Sequence, residues 1–111
     1  MNPHYDPGDA FRIVLLRRIL NGMAASPEED QRVRNIARAL VDKMRREQLA
    51  GDKFLARWDR FLEVPLEELR ETLLGDHEHA AEYRHAHPFA GVIDARELIS
   101  LRAQMDSLPG R

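Results

Sequence analysis

The sequence predicts an all-α fold, a single compact domain of about six helices. Three observations carry this reading. Apolar residues recur at three- and four-residue spacings through most of the chain. Start signals for helices recur at Ser26, Asp52, Pro65 and Asp94. No segment alternates apolar and polar residues convincingly enough to make a strand. With 111 residues, 43% hydrophobic and 32% charged, and no internal repeat, the chain has the size and composition of one domain with its own core.

The first helix is expected from about Asp9 to Asn21, with Gly22 as its stop. Phe11, Leu15, Ile19 and Met23 repeat every four residues, and Val14, Leu16 and Leu20 widen the stripe. A face this wide predicts that part of it joins a homodimer or a partner protein, a second chain in either case, with Leu16 and Leu20 as candidate contact residues. The second helix has the clearest start: Ser26 as cap, Pro27 at the first helical position, and Glu29 completing a capping box. Val33, Ile36, Ala37, Leu40, Val41 and Met44 form its stripe, and Gly51 is the expected stop. Asp52 is expected to cap a short third helix carrying Phe54, Leu55, Trp58, Phe61 and Leu62. Pro65 opens a fourth, with Leu66, Leu69 and Leu73 inward and Gly75 as its end. A polar fifth helix is expected from about His77 to His85. After a Pro88–Val92 loop, Asp94 and Glu97 start a last helix with Leu98, Leu101 and Met105 on one face. The expected core centres on Phe11, Ile19, Leu40, Trp58, Phe61, Leu69 and Phe89, with residues 1–8 and 107–111 frayed.

Composition excludes several function classes. The chain has no cysteine, so disulfides, thiol catalysis and cysteine metal sites are out. The longest apolar run, Ile13 to Leu16, falls far short of the roughly 20 residues that span a bilayer. The first residues carry neither the basic start nor the apolar stretch of a signal peptide, so a cytoplasmic location is expected.

Net charge is −2 but unevenly placed: residues 1–62 carry +3 and residues 63–111 carry −5. Residues 32–46 form a basic pole with Arg34, Arg38 and Arg45 on one helical face. That stripe could steer an acidic protein partner, contact nucleic acid, or be an ordinary solvated face. Flanking acids and the lack of interleaved aromatics make nucleic acid the weaker partner.

His77, His79, His85 and His87 cluster with Asp76, Glu78 and Glu82. The histidine spacings do not converge on a helix, but Glu78, Glu82 and His85 share a face and form a weak metal candidate. No metal or other cofactor is expected. A helix-turn-helix outline at 66–87 fails in detail: Arg70, Glu71 and Asp76 stand where small or aliphatic residues belong. No nucleophile elbow, phosphate loop or glycine-rich turn after a strand is present, so no enzymatic activity is expected. His87 and Phe89, on the one loop that interrupts the helical pattern for several residues, are the remaining candidate contact residues. Phe89 is expected to insert into the core.

Between residues 57 and 98, Arg57-Trp58, Pro65-Leu66-Glu67-Glu68-Leu69, Leu73-Leu74, Arg84, Pro88-Phe89-Ala90-Gly91-Val92 and Arg96-Glu97 form a recognisable series. It resembles the C-terminal part of small bacterial accessory proteins of an antitoxin-like or regulatory kind. The chain departs from that pattern at His87, where those proteins carry Ser, at Tyr83, where they carry Leu, and in lacking a Trp after the final charged pair. The resemblance implies a bacterial accessory role. The function expected is a non-enzymatic protein-binding module, an antitoxin-like neutraliser or regulatory inhibitor acting by occlusion. A phage-type inhibitor of a defence nuclease fits the same physics. The alternative is a nucleic-acid-binding regulator using the second helix, and a metal-dependent enzyme at the His/Glu cluster comes third.

Overall fold

The computed structural model describes residues 7–106, and helix accounts for 76% of the structure. Six helices and no strand are present among the described residues: α1 Pro7–Ala25, α2 Pro27–Arg46, α3 Asp52–Phe61, α4 Leu66–Leu74, α5 Ala80–His85 and α6 Ala95–Asp106. The all-α expectation is met. Of the residues expected to fray, 1–6 and 107–111 lie outside the described set, while Pro7 and Gly8 belong to α1.

α1 is the central element and touches α2, α4, α5 and α6. That placement consumes its wide stripe. Leu15, Leu16, Ile19, Leu20 and Met23 are all buried, Leu16 completely. The expectation that Leu16 and Leu20 reach a second chain is therefore corrected: intramolecular neighbours cover both. Gly22 does not stop the helix either. Met23 is drawn into the core one residue later, and a single glycine costs only about 1 kcal/mol inside a helix. The break comes at Ser26, whose extended backbone and hydroxyl, accepting from the Glu29 amide at 3.1 Å, start α2. Glu29 does not close the expected box, because its carboxylate is engaged by Arg32 at 2.8 Å.

α2 ends at Arg46, earlier than the expected Gly51. Gln48 adopts a left-handed backbone with φ 55°. The Gln48 and Leu49 amides turn back to the Arg45 and Met44 carbonyls, a helix-ending motif that normally places glycine at this position. Gly51 instead precedes α3 as its cap, and Asp52 becomes the first helical residue. α4 ends at Gly75, where a Cβ would run into the Glu71 carbonyl and carboxylate, so a side chain is sterically barred. α5 is shorter than expected, since residues 77–79 form a turn. Asp94 caps α6 as expected, accepting the Glu97 amide at 2.8 Å.

The core meets at Trp58 and Phe89, both 1% exposed, edge to face with centroids 5.6 Å apart. Ile19 and Leu69 are buried with them, whereas Phe11, Leu40 and Phe61 are only half-buried. Phe89 is held by the Pro88–Ile93 loop, whose Pro88, Val92 and Ile93 are also buried. α6 is the least embedded helix. None of its residues is fully buried, though Leu98 and Leu101 pack against the core.

Two substitutions test this packing. Phe89→Ala is expected to cost about 3–5 kcal/mol in urea unfolding, the range for a buried aromatic truncated to a cavity. Gln48→Gly is expected to raise stability by up to about 1 kcal/mol, because glycine occupies the left-handed region without the Cβ penalty.

Candidate functional site

The basic stripe of α2 is largely spent inside the molecule. Arg34 is buried; its Nε donates to Asp30 at 2.7 Å and its Nη1 to the Leu62 and Val64 carbonyls at 3.0 and 2.8 Å. Arg38 donates to the Leu62 carbonyl at 2.9 Å and to Glu63 at 3.1 Å. The pair therefore fastens the α3–α4 connection to α2 and caps the carbonyl end of α3. Arg45 bridges Asp42 on its own helix and Asp59 of α3, at 3.2 and 2.6 Å. Arg34 is thus removed as a partner-binding residue, and Arg38 and Arg45 are part-exposed groups with acceptors already in hand. The spacing that aligns three arginines on one face also faces them towards α3.

The polar cluster around α5 is exposed, and several of its side chains are engaged with neighbours in the same chain. His77 Nε2 lies 3.1 and 3.0 Å from the Glu71 and Thr72 carbonyls, so it carries a proton and closes the end of α4. His79 stands between Glu78 and Glu82, and Glu82 also faces Arg57 at 3.6 Å. Arg57 lies over the Tyr83 ring at 5.0 Å. Glu78 precedes the helix, so its expected alignment with Glu82 and His85 is lost. No group of three His, Asp or Glu able to hold a metal ion occurs among the described residues. The helix-turn-helix outline fails in the same segment, since α5 has six residues, under two turns.

Arg84 was not singled out in the sequence as a site residue, yet it is the second buried arginine. It donates through Nε and Nη2 to both Asp9 oxygens at 2.9 and 2.7 Å, and through Nη1 to the Leu73 carbonyl at 2.8 Å. These hydrogen bonds hold the Asp9 carboxyl below the usual carboxylate range despite partial burial. The two residues lie 75 apart, so no local pattern reveals them. Nearby, His87 Nδ1 accepts the Phe89 amide at 3.1 Å and the ring stacks on Phe89. Burial, reinforced by the charge of Arg12, pushes the imidazole from 6.5 down to about 4. His87 and Phe89 are thus bound to each other within the loop by a hydrogen bond and a ring contact. Phe89, fully packed, offers no surface to a partner.

The open candidate site lies elsewhere, between the first half of α1 and α6. Arg18 pairs with Glu97 at 2.8 Å near the start of α6, and Phe11 lies under Arg102 near its end, so the helices run antiparallel. Phe11, Leu98, Ile99 and Arg102 line an apolar groove between them. Ile99 is 70% exposed. The signal was present in the sequence: Ile99 stands off the Leu98–Leu101–Met105 face, between Arg96 and Arg102 at a spacing of three. No helix among the described residues is long and apolar enough to cross a membrane. No protein-family model, no curated protein and no solved structure matches the chain.

The neutral His87 makes stability depend on pH. Its folded pKa lies below its ordinary value, so the unfolded chain binds the extra proton first. Stability contributed by the neutral ring is complete above about 6.5 and is lost as pH falls towards about 4. The loss is expected to reach up to about 3 kcal/mol. His87→Asn, which keeps an acceptor for the Phe89 amide without titrating, should flatten that part of the stability curve in urea titrations at pH 7 and 4. Parallel curves for the two proteins would refute this account.

Proposed function

We propose that the protein is a non-enzymatic protein-binding module, an antitoxin-like neutraliser or regulatory inhibitor that occludes its partner through the α1–α6 groove. One observation carries the reading: Ile99, 70% exposed, adjoins Phe11, Leu98 and Arg102 in an apolar groove on a heavily charged exterior. Exposed aliphatic surface gains free energy only when covered, and apolar patches rimmed by polar groups are a common form of protein interface. α6 rests on the core by one side only, which leaves its outer side to a partner helix or strand.

The binding surface proposed is thus displaced from the basic stripe of α2. The engagement of Arg34, Arg38 and Arg45 within the chain weighs against the stripe as a docking surface for acidic protein or for nucleic acid. Phosphate binding would require those guanidinium groups to leave carbonyl and carboxylate acceptors they already hold.

Affinity purification from the native host tests the reading. Wild-type protein is expected to retain a stoichiometric partner and to suppress that partner's activity when mixed at equal concentration. Ile99→Glu should lose both effects, with a weakening of at least tenfold and an unchanged melting curve. A partner that survives Ile99→Glu but is lost on Arg45→Glu would transfer the function to the basic pole.

A further inference from the structure

The groove also specifies the chemistry of its occupant, on the reading that it is an interface. The Arg102 guanidinium carbon lies 4.0 Å from the centroid of the Phe11 ring. Stacking of this kind uses the flat face of the guanidinium and leaves its N–H edge to form hydrogen bonds. Among the described residues that edge meets no carboxylate. Arg18, Arg32, Arg34, Arg38, Arg45, Arg57 and Arg84, by contrast, each face one. Arg57 also lies over an aromatic ring, but Glu82 faces its edge. Arg102 therefore combines a position over an aromatic ring with a donor edge that meets no carboxylate among the described residues, next to the exposed Ile99.

We propose that Arg102 anchors a carboxylate side chain of a partner polypeptide whose neighbouring aliphatic residues fill the groove over Phe11, Leu98 and Ile99. The occupant is a helical segment of a protein. The groove runs between two antiparallel helices and is open to solvent, which suits a helix laid along it more than a small amphiphile, whose binding needs an enclosed cavity. A second copy of the chain fits less well. The charges flanking Ile99 on α6 are Arg96 and Arg102, so a twofold contact centred on Ile99 sets arginine against arginine. A carboxylate placed three or four residues from a Leu, Ile or Phe on a partner helix meets both the anchor and the apolar strip.

A random-peptide display selection on the purified protein tests this, run in parallel on Ile99→Glu and Arg102→Gln. Enriched peptides are expected to place Asp or Glu within one helical turn of large aliphatic or aromatic residues, and to be lost on the Ile99→Glu bait. A synthetic copy of the most enriched peptide should bind Arg102→Gln about 10- to 100-fold more weakly, the range for losing a hydrogen bond to a charged group. Replacing the peptide's acid by its amide should cost the same factor on wild type and almost nothing on Arg102→Gln. Ile99-dependent peptides without an acidic residue would overturn the carboxylate anchor and leave the groove as an interface. Peptides indifferent to Ile99→Glu, or no enrichment, would overturn the groove itself. Ile99-dependent dimerisation in sedimentation would also overturn the proposal and make a second copy the occupant.

Discussion

The fold depends on what happens at the carbonyl ends of two short helices. α3 and α4 have ten and nine residues, too short to be stable alone, and each leaves several C-terminal carbonyls without a helical partner. Both ends face protein. Arg34 and Arg38 reach across from α2 to the Leu62 and Val64 carbonyls, and Arg84 reaches from α5 to that of Leu73. The two buried arginines are each balanced by a carboxylate, Asp30 and Asp9 respectively. A buried guanidinium without these acceptors would cost several kcal/mol, so each arginine specifies one arrangement of the helices around it.

This explains which parts of the architecture are legible in the sequence. Helix number, type and order follow from periodic apolar residues and caps such as Ser26 and Asp94, because those signals act over a few residues. Phe89 as a core residue is legible because proline and glycine isolate it on a short loop. Helix ends are less so. Gly22 and Gly51 read as stops, yet α1 continues because Met23 is drawn inward, and α2 ends where Gln48 takes a conformation that glycine favours. The reach of α1 into every later helix except α3 depends on tertiary placement, and a wide stripe cannot say whether its cover comes from the same chain.

The candidate site was harder to read for a related reason. A row of arginines on one helix face has the same sequence signature whether it faces solvent, a partner or a neighbouring helix end. In this chain Arg34, Arg38 and Arg45 face the chain itself, while Arg102, isolated and unremarkable in sequence, is the guanidinium stacked on a ring with its edge open. The difference lies in what surrounds each group in space. The histidines divide on the same basis: His77 closes a helix, His87 is kept neutral in a loop, and His79 sits between carboxylates.

The central position of α1 has a consequence for how the protein is made. α1 is synthesised before all the helices that cover it, and α6 is the last of those neighbours to be made. At about 5–20 residues per second, the stripe from Leu15 to Met23 waits on the order of 5–15 s for its full set of neighbours. During that interval the stripe lacks most of the neighbours that bury it in the finished fold. The Arg84–Asp9 pair spans most of the chain and can form only after residue 84 is made, so the first helix is fastened late.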